Sequence, residues 1–192
     1  MKTIINEYPK WKILNIHESS PANRGHSLTL KENVIRYTET QYFPEQPKGA
    51  IFNGVRNEDL ENQTFENDIF DLVITSDVME HVYDPKKAFQ EIHRTLKAGG
   101  AHIFSVPLIN RFEKTVRWAK KGTDGEPVFL FEPEWHGNPV NKKGSPVTMH
   151  WGYDIIHFIE DCTGAECKIV YYDDLHHGIR GEFREIIVAK KK

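Results

Sequence analysis

The chain has 192 residues, 39% of them hydrophobic and 11% aromatic, which suits one packed domain in the ~100–200 residue range and excludes a wholly disordered chain. Its 25 basic and 28 acidic residues leave a formal charge of -3, a balance that argues against a general nucleic-acid binder. No apolar run approaches the ~20 residues of a membrane span, and Met1 to Lys12 carries Glu7, Pro9 and Lys10 where a secretory signal would have its apolar core. Two cysteines, Cys162 and Cys167, are too few for a disulfide framework or a closed zinc site. The expectation is a soluble, cytoplasmic protein with one domain over residues 1–192.

In chain order, the apolar run Trp11 to Ile16 predicts a short strand ending at His17-Glu18. Ser19-Ser20-Pro21 then suits a helix start, because proline at the first helical position gives up no needed N–H. Val34 to Thr38 is β-branched enough for a second strand. The stretch from Tyr42 to Gly49 is too rich in breakers for a helix, and Ile51 to Val55 predicts a third strand that Gly54 weakens.

The middle of the chain carries stronger signals. Phe70 to Thr75 reads as a buried strand. Asp84-Pro85 marks a helix start, and Ala88, Phe89, Ile92 and Leu96 recur at helical spacing. Gly99-Gly100 is expected to end that helix, with Lys97 near its negative pole. Ala101 to Val106 is the next strand, so strand, helix and strand predict a right-handed βαβ unit with neighbouring, parallel strands.

Beyond Pro107, Leu108, Ile109, Phe112, Val116 and Ala119 fall on one face of a predicted helix made basic by Arg111, Lys114, Arg117, Lys120 and Lys121. Gly122 to Pro146, with four Pro and four Gly, reads as a loop. A helix over Gly152 to Cys162 and two strands, Lys168 to Tyr172 and Glu185 to Ala189, complete the chain. The pattern predicts an α/β fold with a mostly parallel sheet finishing in an antiparallel hairpin.

Three motifs, Phe70-Asp71-Leu72-Val73-Ile74, Asp77-Val78-Met79-Glu80-His81-Val82 and Leu96-Lys97-Ala98-Gly99-Gly100, together resemble the centre of class I S-adenosylmethionine-dependent methyltransferases, in particular the small-molecule type 11 group. The likeness is best from Asp59 to Pro107. It implies a Rossmann-like methyltransferase fold, whose ligands lie outside the carboxyl ends of the strands where strand order reverses.

The resemblance also implies roles for particular residues. Ile16, His17 and Glu18 stand in the first cofactor-binding turn, and Glu39 is the acidic residue nearest the second strand's end, where the family holds the ribose; a solvated loop acid is the other reading of Glu39. Asp59-Leu60 resembles the adenine-binding pair, in which a carboxylate accepts the amino hydrogen and the next N–H donates to the ring. Asp77 and Val78 are expected beside the methionine end and the sulfonium, where a carboxylate is electrostatically favourable; Asp77 also suits an N-cap for the following turn.

Asp77, Glu80 and His81 are spaced to share one face of a helical turn, and some methyltransferases bind a divalent ion through such a cluster. Glu-His also occurs at this point in many family members without metal, so no metal is assigned. Two departures from the family stand out. The first turn, Asn15 to Pro21, lacks the expected glycines, the first being Gly25, and a Pro-rich stretch replaces the helix between strands two and three.

Substrate contacts are expected from a variable lid segment at about 108–150, where Glu134 to Pro139 and His150 to Asp154 gather aromatic, imidazole and amide groups. His136 and His81 are the candidate general bases, given an imidazole's ordinary pKa near neutrality; a turn histidine packed on Trp135 is the other reading of His136. The function expected is methyl transfer from S-adenosyl-L-methionine to a small-molecule acceptor, with no nucleic-acid partner and no stable membrane insertion. The alternatives are a non-catalytic, degenerate methyltransferase-fold binding or scaffold module, and a nicotinamide-dependent oxidoreductase, against which the missing glycine fingerprint counts.

Overall fold

The structure is a computed structural model that describes residues 1–138 and 140–192. Its elements are helix α1 (Lys2–Glu7), strand β1 (Asn15–Ser19), α2 (His26–Asn33), β2 (Arg36–Gln41), β3 (Ile51–Phe52), β4 (Val55–Asn57), β5 (Phe70–Ser76), α3 (Pro85–Thr95) and β6 (Leu96–Ser105). They continue with β7 (Val116–Arg117), β8 (Ala119–Lys121), β9 (Pro127–Phe129), β10 (Trp135–Asn138), β11 (Asn141–Pro146), β12 (Met149–His150), α4 (Ile155–Thr163), β13 (Glu166–Tyr171) and β14 (Glu185–Lys190).

Eight strands form the main sheet in the order β13-β14-β6-β5-β1-β2-β4-β3. Pairing is parallel from β6 through β5, β1 and β2 to β4, and antiparallel for β6 with β14, β14 with β13 and β4 with β3. This is the mostly parallel Rossmann-like sheet with a terminal antiparallel hairpin expected from the sequence. The chain lays β1, β2 and β4 toward one edge, then returns to place β5 on the other side of β1, so strand order reverses between β1 and β5.

Each face of the sheet carries its own apolar layer. Ile16, Leu72, Ile74, Ile103 and Val188 pack with Ile4, Trp11 and Leu30 beneath α1 and α2. Phe70, Val73, Phe104 and Ile187 pack with Phe89, Ile92, Ile155 and Ile159 of α3 and α4, and with Trp151. Helix α3 is locally encoded: the Asp84 carboxylate accepts the Lys87 N–H at 3.1 Å, Pro85 opens the helix, and Ala88, Phe89 and Ile92 are buried.

Several boundaries differ from the sequence expectation, for identifiable reasons. Trp11–Ile13 is a single 3-10 turn and β1 starts at Asn15, whose N–H donates to Asp71 Oδ2 and whose side-chain amide donates to the Ile69 carbonyl, both at 2.7 Å. No helix begins at Pro21, because Ser19 is still paired with Thr40 and Thr75 and the Ser20 N–H donates to the Thr40 carbonyl. The first helix after β1 starts at His26. Val34 caps α2, so β2 runs later than predicted, from Arg36 to Gln41. The third predicted strand is a hairpin, β3–β4, turned by Asn53-Gly54 with both φ values positive, as a two-residue Asn-Gly loop favours.

Helix α3 ends at Thr95, and Gly99-Gly100 lie within β6. A Cβ at Gly100 would stand 2.8 Å from the Asp71 carbonyl oxygen, so glycine permits a close backbone approach there and does not terminate the helix. Lys97 pairs with Asp71 at 2.9 Å.

The predicted basic helix from Leu108 to Ala119 is absent, and the predicted loop after it contains strands. Residues 107–150 instead form small antiparallel pairs, β7 with β12, β8 with β9 and β10 with β11. Leu108 and Ala119 are buried, but Phe112 is 92% exposed, so the apolar stripe faces no common core. Arg111 adopts a positive φ, and the Asp154 carboxylate holds the Thr115 N–H and hydroxyl, which favours local turns over a continuous helix.

Candidate active site

The crevice outside β1 and β5 is built from strand ends. Asp77 follows β5 with φ +53°, a conformation unusual for a non-glycine residue. Its N–H donates to the Ser105 carbonyl and its Oδ1 accepts the Ser105 hydroxyl, both at 3.1 Å, leaving the residue exposed. This fastens the end of β5 to β6. Beside it lies a cavity of about 340 Å³, lined by His26, Ser76, Asp77, Ser105 and Arg184 among apolar residues such as Ile74 and Ile186. Ser76 Oγ and His26 Nε2 are 3.2 Å apart. Neither His26 nor Ser76 was singled out from the sequence, since each is polar at a position that periodicity alone does not mark.

The first turn is polar yet packed. His17 is fully buried, with Nε2 2.8 Å from Thr40 Oγ1 and its ring against Phe65 and Phe70. Burial holds its pKa down at about 3. Glu18, on the opposite face and 1% exposed, accepts the Ser27 hydroxyl at 2.6 Å and the Tyr37 hydroxyl at 2.7 Å, with His26 at 3.3 Å. Burial raises its carboxyl pKa, but the bonds from His26, Ser27 and Tyr37 outweigh that and hold it below the ordinary value. Neither His17 nor Glu18 lines the cavity, and Ile16 lies in the apolar layer under α2.

The remaining predicted contacts have defined places. Glu39 lies inside β2 and both its oxygens accept from Lys31 Nζ, at 2.8 and 3.0 Å; Gln41 is the residue that ends the strand. Asp59 Oδ1 accepts the Glu61 N–H at 2.9 Å and so shapes its own turn, while Leu60 is buried. Glu61 Oε1 in turn accepts the backbone N–H groups of Tyr83 and Asp84, which ties this loop to the segment after β5. Val78 packs on the α3 side of the sheet.

A second cluster forms where residues 134–150 cover the turn after β5. Asp77, Glu80 and His81 share no helix, since only a turn closed by His81 N–H to Val78 O is present. The structure brings Glu80 and His81 together with His136 of β10, each offering a ligand atom within 4.8 Å of the others. Glu80 is 2% exposed, and burial, reinforced by Asp77, pushes its carboxyl pKa up to about 8. Burial lowers the pKa of His81. His136 Nε2 lies 3.3 Å from Glu134 Oε1, and Glu134 Oε2 lies 2.8 Å from His150 Nε2. His150 stacks on Trp118 at 3.9 Å. Of the two aromatic-rich groups predicted here, Pro139 lies outside the described residues.

Comparison with known proteins bears on the domain and the fold. Residues 20–104 match the family model described as a methyltransferase domain, type 11. The chain is 31% identical over 103 residues to a ubiquinone biosynthesis O-methyltransferase of Ruegeria pomeroyi, covering 43% of this chain and 41% of that one. It is 29% identical over 117 residues to the Cereibacter sphaeroides protein of the same description, covering 50% and 47%. The match therefore spans less than half the length of these curated relatives. Among solved structures, an S-adenosylmethionine-dependent methyltransferase from Mesorhizobium loti has a TM-score of 0.61 at 15% identity, over 98% of this chain and 95% of that one. CalS10, an amino pentose methyltransferase from Micromonospora echinaspora solved with S-adenosylmethionine bound, has a TM-score of 0.62 at 12% identity, over 100% and 88%. At such identities the structural likeness speaks for the fold, and with the matched domain it leads to one assignment. Residues 20–104 match a methyltransferase domain of type 11, and the chain as a whole has the fold of S-adenosylmethionine-dependent methyltransferases.

Proposed function

We propose that this protein transfers the methyl group of S-adenosylmethionine to a small-molecule acceptor held between the ends of β5 and β6 and the segment 108–150, which serves as a lid. The cavity of about 340 Å³ beside Asp77 supports the cofactor part of this reading, because it opens at the carboxyl ends of β5 and β6. Its walls come from α1, α2, β5, β6, β14 and residues 172–184, and the segment 108–150 covers the turn after β5 apart from it. The first turn is compatible with a cofactor despite its missing glycines. Ser20 and Asn23 adopt the positive φ values that glycines would supply, and His17 and Glu18 are fastened to the two faces of the sheet.

The cofactor would supply a methyl group already activated on a sulfonium. In this reading the backbone of Ile16 to Ser20 would hold its methionine part, Asp77 and Val78 its charged end, and Asp59 and Leu60 its adenine. Gln41, at the end of β2, suits the ribose better than Glu39, whose carboxylate Lys31 engages. The chain's contribution is positioning and exclusion of water, together with a base for the acceptor. Oxygen is the favoured acceptor atom, because the curated relatives are O-methyltransferases and a hydroxyl needs a proton acceptor such as His136 or His81.

A cytoplasmic setting and a small-molecule partner belong to the same reading. Both cysteines are free thiols, and among the described residues no helix is long and apolar enough to cross a membrane. Calorimetric titration with S-adenosylmethionine, S-adenosylhomocysteine and NAD tests the proposal. Binding of the first two and not the third is expected. A folded protein that binds none of them would instead support a scaffold role.

A further inference from the structure

The cluster under the lid contains an electrostatic imbalance. Among the described residues, neither carboxylate oxygen of buried Glu80 has a hydrogen-bond donor, although such groups ordinarily find one. The nearest polar atoms are His81 Nε2 at 3.7 Å and His136 Nδ1 at 3.8 Å, too far for hydrogen bonds. Both imidazoles are also oriented from behind. His81 Nδ1 lies 2.9 Å from the Pro146 carbonyl oxygen, which only accepts, so Nδ1 carries the proton and Nε2 a lone pair. His136 Nε2 faces the Glu134 carboxylate, which leaves its Nδ1 as the bare nitrogen. Two imidazole lone pairs and a buried carboxyl group thus converge with no hydrogen bond among them.

We propose that Glu80, His81 and His136 bind a divalent first-row transition-metal ion of the zinc class, with one coordination position open toward the solvent-accessible side of His136. Two imidazoles and a carboxylate form a donor set suited to such ions, and three protein ligands leave a position for water or substrate. The separations of 3.7 and 3.8 Å from Glu80 Oε1 slightly exceed the ~3.4 Å expected between ligands at ~2.1 Å from a tetrahedral ion, and all three ligand atoms lie within 4.8 Å of one another, so the set would draw in on binding.

The surroundings are built as a second layer of support. Pro146 O and Glu134 orient the two imidazoles, and His150 holds Glu134. The Thr148 N–H and hydroxyl both donate to the Glu80 carbonyl, at 2.8 and 3.0 Å, pinning the turn beneath the site. Asp77 is no ligand, but its charge acts on Glu80 and His81 and favours a cation nearby. The ion would take over the lone pairs assigned above to proton acceptance and would polarise an acceptor oxygen at its open position. The site itself rests on its own geometry and does not require methyl transfer.

Cobalt(II) added to chelator-stripped full-length protein tests the site, read by calorimetry and by the visible absorption of coordinated cobalt. One equivalent is expected to bind and to be displaced by zinc(II). His136→Ala and Glu80→Gln should each weaken uptake by about 100-fold or more, and Glu134→Gln, which spares all three ligands, by about 10–100-fold. His157→Ala, on the exposed side of α4, should leave uptake unchanged. Glu80→Gln keeps the shape of a side chain with no hydrogen bond to lose, so it remains informative if His136→Ala does not fold. Absence of uptake by folded wild-type protein, or uptake unaltered in Glu80→Gln, overturns the proposal. S-adenosylhomocysteine binding measured in parallel separates failure of the metal site from failure of the methyl-transfer reading.

Discussion

Glu18→Ala should destabilise the fold by about 3–5 kcal/mol, through loss of a fastening and not of a cofactor contact. The carboxylate is 1% exposed and receives hydroxyl groups from two separate elements, Ser27 of α2 at 2.6 Å and Tyr37 of β2 at 2.7 Å. Hydrogen bonds to a charged group contribute ~1.5–3 kcal/mol each, and removing the acceptor strands both donors. Tyr37→Phe removes one donor and should cost about 1.5–2.5 kcal/mol. Because both changes break the same bond, the double variant should fall short of additivity by about 1–2 kcal/mol. Urea unfolding followed by tryptophan fluorescence measures all three. The depressed carboxyl pKa of Glu18 adds a pH signature: its contribution is complete above the unfolded value of ~4.3 and is lost as pH falls through the lower folded value. A Glu18→Ala protein within 0.5 kcal/mol of wild type, or strict additivity with Tyr37→Phe, would refute this account of the first turn, the ~0.5 kcal/mol limit being the scale of an inconsequential substitution.

Acid should destabilise the protein through His17 and His102, both fully buried with pKa values held at about 3 by burial; the unfolded chain takes up a proton at each below pH ~6.5, so stability should fall by about 1.4 kcal/mol per pH unit for each histidine between those limits, and His102→Gln should remove one share of that slope. Gly100→Ala forces a Cβ to 2.8 Å from the Asp71 carbonyl oxygen and should cost about 2 kcal/mol, a Tm lower by roughly 4–8 °C; an unchanged Tm would mean that β5 and β6 do not approach so closely. Asp59→Ala should weaken S-adenosylhomocysteine binding by about 1–3 kcal/mol, the scale of a lost polar contact, and unchanged affinity in a folded variant would remove Asp59 from the adenine site.

What the sequence determined by itself was whatever depends on neighbours a few residues away. Asp84-Pro85 and the spacing of Ala88, Phe89 and Ile92 specify α3, because capping and one buried face are local properties. The β-branched runs of β5 and β14 announced strands, and the motifs from Phe70 to Gly100 a family resemblance, for the same reason. The tertiary structure decided everything whose partner lies far along the chain. The stripe from Leu108 to Ala119 has helical spacing, yet no core faces it, and Asp154 holds Thr115 in turns instead. His17 and Glu18 look like loop residues until β2 and α2 supply Thr40, Tyr37 and Ser27, which make burying them tolerable. Spacing joined Asp77 to Glu80 and His81, but the left-handed backbone at Asp77 ties it to Ser105, and folding of residues 134–150 over the turn brings in His136 instead. Periodicity reports which face of an element is apolar. It carries no information on which distant polar group will meet another, because that depends on how whole elements pack.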